Sequence, residues 1–261
     1  MEFKIQTVAD FTARKEKPEV LFWVGCLGSF DDRAKRITKA IAKLLHHAGV
    51  SFAVLGTEES CTGDPAKRAG HEFLFQMQAI NNISILNSYG ITKIVTGCPH
   101  CFNTLKNEYP QLGGNYTVLH HTQLLQQLID EGKLKVEGGI FKGKRITFHD
   151  PCYLGRANEE YEAPRSLIKK LDAELVEMKR SRANGLCCGA GGAQMFKEPE
   201  NGTKDINIER TEEALALNPS TIVLGCPFCM TMITDGVKLA NKEQTVEVKD
   251  IAEMIAEALD I

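Results

Sequence analysis

The nine cysteines of this 261-residue chain fall into two series. The first is Cys26, Cys61, Cys98 and Cys101; the second is Cys152, Cys187, Cys188, Cys226 and Cys229. In both, 34 residues separate the first cysteine from the second. Each series closes on one phrase, GCPHC ending at Cys101 and GCPFC ending at Cys229. Between Gly63 and Cys98 lie 34 residues, and between Gly189 and Cys226 lie 36. A lone CxxC says little, but two copies with further cysteines in register mark an internal repeat with thiolate ligands for metal. An odd count argues against a fully paired disulfide scaffold, and so does the narrow geometry a disulfide needs, which adjacent cysteines rarely meet. Inert buried thiols are the plain alternative, and the double register disfavours it. Thioredoxin-like exchange is disfavoured because Pro99 and Pro227 occupy the CxxC interiors and other cysteines align with them.

The stretch NGLCCGAGGAQMF, residues 184–196, concentrates this chemistry. A vicinal pair can offer two sulfurs to one multinuclear cluster. Gly189, Gly191 and Gly192 let backbone approach a bulky inorganic core and aim N–H groups at its sulfurs. A single zinc ion takes four ligands, so a fifth cysteine is surplus to it. A nucleotide loop is the other reading of GAGGAQ, but Gln194 stands where GxGxxG requires its last glycine. In each Cys-Pro-x-Cys, proline suits a first helical turn and places Cys98 or Cys226 near the cap. Free N–H groups and the positive end of the helix dipole there favour thiolates, the donors that soft metals and iron–sulfur clusters take.

Other side chains invite two readings. His149, just before DPC, either tunes or protonates something at the second site or bonds backbone at a strand end. His120 and His121 read as structural, and His100 as flanking its site without ligating. Lys179, Arg180 and Arg182 offset cluster charge or dock an acidic partner, or else lie in a solvated loop. Trp23 reads as core.

Positioning these cysteines requires alternating elements. EVLFWVGC, SFAVLGT, KIVTGC and YTVLHH read as strands; RAKRITKAIAKLLHHAG, GDPAKRAGHEFLFQMQAINNISIL and TQLLQQLIDEG read as helices. The second of these helices is expected to start with Asp64 as N-cap and Pro65 at its first position. The second half repeats the order with RITFHDPC, APRSLIKKL, ELVEMK, ERTEEALAL, TIVLGC, TVEVKD and IAEMIAEALD. Such alternation predicts an α/β fold of two pseudo-symmetric, Rossmann-like halves with mostly parallel sheets. Each half would carry its cysteine cluster at strand carboxyl ends, where ligands gather in such folds. The expected division is 1–139 and 140–261, with the seam in EGGIFKG, residues 137–143. A hydrophobic fraction of 43% with 25% charged residues is that of a globular chain, and a net charge of −3 gives no general attraction to nucleic acid. No apolar run approaches the roughly 20 residues of a membrane span, and the N-terminus lacks a signal-peptide core. A cytoplasmic location is the default expectation, with no direct membrane insertion.

The phrases CCGAGG, GCPFC, GCPHC, ESCTGDPAKRAG and HDPCYLGR closely resemble the cysteine-rich CCG-domain family, over nearly the whole chain from about Leu21 onward. That family includes the catalytic subunit of heterodisulfide reductase and iron–sulfur subunits of glycolate, lactate and glycerol-3-phosphate oxidation systems. The resemblance implies an iron–sulfur redox subunit of a heterodisulfide-reductase-like or quinone-linked oxidoreductase. It implies a noncubane [4Fe-4S] cluster held by Cys152, Cys187, Cys188, Cys226 and Cys229, and disulfide reduction at that cluster if the chemistry follows heterodisulfide reductase. Cys187, Cys188 and His149 are then the candidate catalytic residues. In the first half Thr62 stands where the second has Cys188, so Cys26, Cys61, Cys98 and Cys101 suit a cubane [4Fe-4S] cluster, an all-thiolate zinc site or an empty remnant. The chain carries no ferredoxin-type CxxCxxCxxxCP run, so a ferredoxin-type subunit, a flavoprotein or a membrane-anchored quinone-linked protein is the expected partner. Through it the chain would sit peripherally at the inner face of the membrane. The competing readings are a zinc-stabilised binding module and a metal-free dithiol reductase.

Overall fold

The structure is a computed structural model that describes residues 4–136, 139–198 and 201–261. It contains two four-stranded sheets. The strands of the first are β1 (Val20–Trp23), β2 (Phe52–Ala53), β3 (Lys93–Thr96) and β4 (Thr117–His120), in the order β2-β1-β3-β4. The second holds β5 (Arg145–Phe148), β6 (Glu174–Leu175), β7 (Thr221–Leu224) and β8 (Glu247–Asp250), in the order β6-β5-β7-β8. Every pairing is parallel. Both sheets therefore repeat one topology, the two-half α/β fold that the alternation predicts. The central strands β1 and β7 are buried along their whole length, as parallel strands covered on both faces must be.

The helices are α1 (Val8–Ala13), α2 (Gly25–Phe30), α3 (Asp32–His47), α4 (Asp64–Arg68), α5 (Glu72–Ser88), α6 (Pro99–Asn103), α7 (His121–Asp130), α8 (Glu162–Lys170), α9 (Ile206–Leu215), α10 (Pro227–Leu239) and α11 (Ile251–Ala258). The side chain of Asp31 accepts the Ala34 N–H at 2.7 Å and starts α3; Ile37, Ile41, Leu44 and Leu45 form its buried stripe. Pro99 and Pro227 open α6 and α10, with Cys98 and Cys226 as the capping residues, as the two Cys-Pro-x-Cys phrases predict.

Three local expectations are corrected. The long helix from Asp64 is two helices. Gly70 takes a left-handed conformation (φ +84°), and His71 starts α5 by accepting the Leu74 N–H at 3.2 Å. Asp64 is not the cap of α4: Gly63 precedes it at φ +90°, and the Asp64 carboxylate turns inward to Arg68 and His100. The strands read from SFAVLGT and ELVEMK shrink to two-residue pairings at sheet edges, where a strand has one neighbour to hold it. Helix α1 adds an element before β1 that the strand–helix alternation does not predict; Thr7 and Asp10 cap it reciprocally, and Val8 and Phe11 bury its inner face.

The chain leaves the first sheet at His120 and enters the second at Arg145. Part of the expected seam, residues 137 and 138, lies outside the described residues. The halves pack through α3 against α11. Arg33 clasps Glu253 with two bonds of 2.6 and 2.7 Å and donates to the Val248 carbonyl at 3.0 Å. His121 Nε2 meets Asp250 Oδ1 at 3.0 Å, and His120 Nε2 meets the Gly225 carbonyl at 3.1 Å. Both histidines are thus buried ties between the halves.

Candidate metal centre

All nine cysteines are free thiols, and they gather at the carboxyl ends of the strands. Cys26 lies at the start of α2, just past β1. Cys61 lies in the loop before α4, and Cys98 and Cys101 sit at the start of α6, after β3. In the second half Cys152 follows β5, Cys187 and Cys188 lie in the loop after β6, and Cys226 and Cys229 open α10 after β7. Strand topology therefore delivers each series to one place, although up to 37 residues separate consecutive members.

The two sites match contact for contact. Cys26 neighbours Cys61 as Cys152 neighbours Cys187, each pair close enough to shift the other's ionisation. The Gly63 N–H donates to Cys61 Sγ at 3.4 Å, and the Gly189 N–H donates to Cys187 Sγ at 3.3 Å. The sulfurs of Cys188 and Cys229 lie within 4.8 Å of one another, and at the corresponding place the Thr62 hydroxyl lies 3.9 Å from Cys101 Sγ. Gly63 and Gly189 both need positive φ, +90° and +89°, to turn their N–H groups this way.

The sites also touch. Cys98 and Cys226 lie near enough across the halves for each to shift the ionisation of the other, so the two sets of sulfurs adjoin. Nothing in either repeat alone announces this contact. It follows from the packing of one Cys-Pro-x-Cys turn against the other.

Proton sharing polarises the thiols. Hydrogen bonds from Cys152 and Cys188, helped by the Gly189 amide, outweigh burial and hold Cys187 well below the ordinary thiol range. The bond that Cys152 gives to Cys187, together with burial, pushes Cys152 up. Cys61 is lowered in the same way by the bond from Cys26. Burial would raise Cys98, but bonds from Cys101 and Cys226 and the nearby His100 outweigh it and lower Cys98. Such lowered, clustered thiols are the form in which cysteine binds metal.

Buried charge surrounds the sulfurs. His100 packs between the rings of Tyr153 and Phe228, 4.6 and 4.8 Å away, and its Nδ1 lies 2.9 Å from Asp64. Burial opposes its charge, but Asp64 and Cys98 outweigh this and hold His100 above the ordinary histidine value. It lies beside Cys98, with its Nδ1 engaged by Asp64. Glu59 accepts the Val24 and Gly25 N–H groups at 3.0 and 2.5 Å and fixes the turn before Cys26; burial pushes its carboxyl up to about 7. Asp150 accepts both Arg165 Nη groups at 2.8 and 2.9 Å and the Arg182 N–H at 2.7 Å, which ties the Cys152 turn to the loop that leads to Cys187.

His149 stands behind the second site. A ring nitrogen of His149 and the sulfurs of Cys188 and Cys229 all lie within 4.8 Å of one another. Arg210 Nε donates to His149 Nδ1 at 2.9 Å, and Nε2 is buried without a partner. Burial, then the charge of Arg210, push His149 down to about 3, so it is neutral. Arg210 itself is fully buried, a role that sequence reasoning misses because nothing in ERTEEALAL distinguishes it from a surface arginine.

Of the three basic residues before the vicinal pair, Lys179, Arg180 and Arg182, the two arginines are paired. Arg180 pairs with Glu209 and Glu213, and Arg182 pairs with Glu162, so neighbouring acids compensate both charges. Beside the second site opens a cleft of about 480 Å³ lined by Cys152, Tyr153, Arg156, Cys187, Gly189 and Gly191 among others.

Residues 20–106 and 146–234 each match the cysteine-rich domain termed CCG. The chain is 48% identical over 257 residues to the probable iron-sulfur-binding oxidoreductase FadF of Bacillus subtilis, covering 98% of this chain and 36% of that protein. It is 47% identical over 248 residues to the EtfAB:quinone oxidoreductase of Syntrophomonas wolfei, covering 93% of this chain and 34% of that protein. It is 33% identical over 254 residues to a subunit of the dihydromethanophenazine:CoB–CoM heterodisulfide reductase of Methanosarcina barkeri, covering 95% of this chain and 60% of that protein. The chain thus spans about a third of the length of the first two relatives. With a match in each half, a cysteine site in each half and this likeness over nearly all its length, the chain belongs to the CCG cysteine-rich domain family.

Proposed function

We propose that the chain is an iron–sulfur redox module of a larger oxidoreductase, with a noncubane [4Fe-4S] cluster held by Cys152, Cys187, Cys188, Cys226 and Cys229 and a cubane [4Fe-4S] cluster held by Cys26, Cys61, Cys98 and Cys101. The observation that carries the reading is the second site. Five cysteines follow strand ends of the second half, Cys152 and Cys188 act on Cys187, and a glycine N–H is aimed at its sulfur; five sulfurs exceed what one zinc ion takes. The donor set suits the group, and Gly189 and Gly192, both at positive φ, leave backbone rather than side chains against it. When bound, such a cluster supplies one-electron transfer. The residues around it hold it, exclude water through burial of Cys188, Cys226 and Cys229, and supply hydrogen-bond donors to its sulfurs. The contact of Cys98 with Cys226 favours passage of electrons between the two sites. Electrons would enter or leave through a ferredoxin-type iron–sulfur segment, a flavoprotein or a membrane-anchored quinone-linked protein, at the inner face of a membrane. Among the described residues no helix is long and apolar enough to cross a membrane, which is consistent with an anchor elsewhere in the assembly.

A second reading gives the second site a small-molecule disulfide as substrate. The open cleft at Cys152 and Cys187 favours it, since it leaves room for a ligand against two of the five sulfurs, with Arg156 on its wall.

The test is anaerobic reconstitution of the whole chain with iron and sulfide. The proposal expects iron and acid-labile sulfide, broad visible absorption, and two distinguishable EPR signals on stepwise reduction. Stoichiometric zinc without sulfide after reconstitution under reducing conditions would refute it.

A further inference from the structure

His149 and Arg210 form a buried pair that the cysteine motif does not explain. His149 is 1% exposed and Arg210 0%. An arginine Nε always carries a proton, so the 2.9 Å contact from Arg210 Nε makes His149 Nδ1 the acceptor. A neutral imidazole whose Nδ1 accepts must carry its proton on Nε2. That Nε2–H is buried and has no partner, while a ring nitrogen of His149 lies within 4.8 Å of the sulfurs of Cys188 and Cys229. A buried orphan donor is costly unless something in the working protein accepts from it. The same geometry argues against ligation. To bind a metal through Nε2 the ring would have to give up that proton, and to bind through Nδ1 it would have to break from Arg210.

The apparatus that holds Arg210 is extensive. Its Nη1 donates to the Arg180 carbonyl at 2.8 Å and pairs with Glu213 at 3.1 Å. Glu213 in turn accepts the Arg180 N–H at 2.7 Å and its Nε at 3.0 Å. Arg180 therefore serves the second site through Arg210.

The first half supports a donor role for this position. Phe22 pairs with Val95 and Phe148 with Val223, so the next residues, Trp23 and His149, hold the same place at the strand ends. The indole N–H of Trp23 is likewise buried without a partner. An indole has a donor and no lone pair to offer a metal.

We infer that His149 is a hydrogen-bond donor to the sulfur of the second site, fixed in its Nε2–H tautomer by Arg210, and that this positioning pair makes the second site easier to reduce. The inference rests on the cluster reading above. A donor to sulfur stabilises the more negative, reduced form, so its removal lowers the potential.

The experiment uses the reconstituted whole chain. Iron and sulfide are measured first, and their absence would bring down the cluster reading and this role with it. In loaded wild type, electron–nuclear double resonance on the second-site signal should show a weakly coupled exchangeable proton, and a weak coupling when histidine is labelled with ¹⁵N. The ¹⁵N coupling and the histidine's share of the exchangeable-proton signal should vanish in His149→Leu, while that of the Gly189 N–H persists. At the wild-type midpoint, His149→Leu should cut the reduced-to-oxidised ratio of the second site about tenfold, which is about 59 mV for a one-electron couple. His149→Gln, which keeps an N–H, should recover part of the shift. Arg210→Met should lose the histidine's share of the exchangeable coupling with iron and sulfide retained. Equal midpoints in loaded wild type and His149→Leu would overturn the inference, and so would a strong nitrogen coupling of a direct ligand. If His149→Leu does not load, the wild-type spectrum decides alone, since absence of the ¹⁵N-histidine coupling there refutes the donor.

Discussion

Arg165→Met should be among the most destabilising single changes in the second half. The Arg165 side chain is 7% exposed and binds two carboxylates, Asp150 at 2.8 and 2.9 Å and Glu177 at 2.6 and 2.9 Å. The two arms differ in weight. The Glu177 side chain is 36% exposed, so water screens it and that arm is worth about 0–1 kcal/mol. The Asp150 side chain is 4% exposed, and stripping the partner from a buried charge costs about 3–5 kcal/mol. The Arg182 N–H still bonds Asp150 after the change, which places the expected loss near the lower end, at about 3 kcal/mol. For a chain of this size that lowers the melting temperature by about 6–12 °C. The pH dependence has a definite sign. Burial would raise Asp150, but Arg165 and the Arg182 N–H outweigh it and hold its folded pKa below the ordinary value. Its contribution is therefore full above an unfolded pKa of about 3.9 and is lost as pH falls through the lower folded value. Urea unfolding of the metal-free, fully reduced protein, followed by circular dichroism, measures both effects. The gap between wild type and Arg165→Met should narrow below about pH 4, and the double variant with Asp150→Asn should lose less than the sum of the single changes. A loss under about 1 kcal/mol at pH 7, or an unchanged gap at pH 3, would refute the claim that a buried, charge-paired Asp150 ties the Cys152 turn to the Cys187 loop.

Three further outcomes are expected. Cys188→Ser should change the EPR signal of the second site and leave that of the first, whereas Thr62→Cys, which puts a sulfur beside Cys101, should change the first; identical spectra throughout would deny the vicinal pair a special role. Arg33→Leu removes a bidentate, partly buried pair between the halves and should cost about 1–3 kcal/mol in urea unfolding without altering the spectrum of either site. Loading should stabilise the fold, by about 2.7 kcal/mol when free metal stands at a hundred times its dissociation constant, so a chelated sample should melt measurably lower than a loaded one.

The convergence of the cysteines was legible because a parallel sheet sends every strand end to the same edge, and apolar runs before Cys26, Cys98, Cys152 and Cys226 locate those ends. The capping role of Cys98 and Cys226 was legible from Pro99 and Pro227. Other features depend on partners distant in sequence. The break at Gly70 was hidden because the residues on either side of it read as one helix. His149 gains its tautomer from Arg210, 61 residues away, and ERTEEALAL shows only an amphipathic helix with a charged face. Arg180 and Arg182 read as a positive group because their acids come from α8 and α9, not from the same loop. The contact of Cys98 with Cys226 belongs to neither repeat and arises only when the halves pack.

Duplication gave two similar sites, and their differences fall at two kinds of position. One is the place after the second cysteine of each series, where Cys188 sets a sulfur within 4.8 Å of that of Cys229 and Thr62 offers Cys101 only a hydroxyl. The other is the strand-end position behind the sulfurs, where His149 is tied by Arg210 and Trp23 has a bare indole N–H. An imidazole polarised by a neighbouring guanidinium is the stronger donor of the two, because charge on the far side of the ring strengthens its remaining N–H. If the proposed clusters are bound, the fifth sulfur alters what the second site can hold, and the stronger donor alters how readily it accepts an electron. Cys98 and Cys226 lie close across the halves, so with both proposed clusters in place a difference in potential would bias the electron toward the second site, which also opens to the cleft at Cys152 and Cys187. On the cluster reading proposed above, the two differences point one way, toward the first site as the relay and the second as the place where the electron is used.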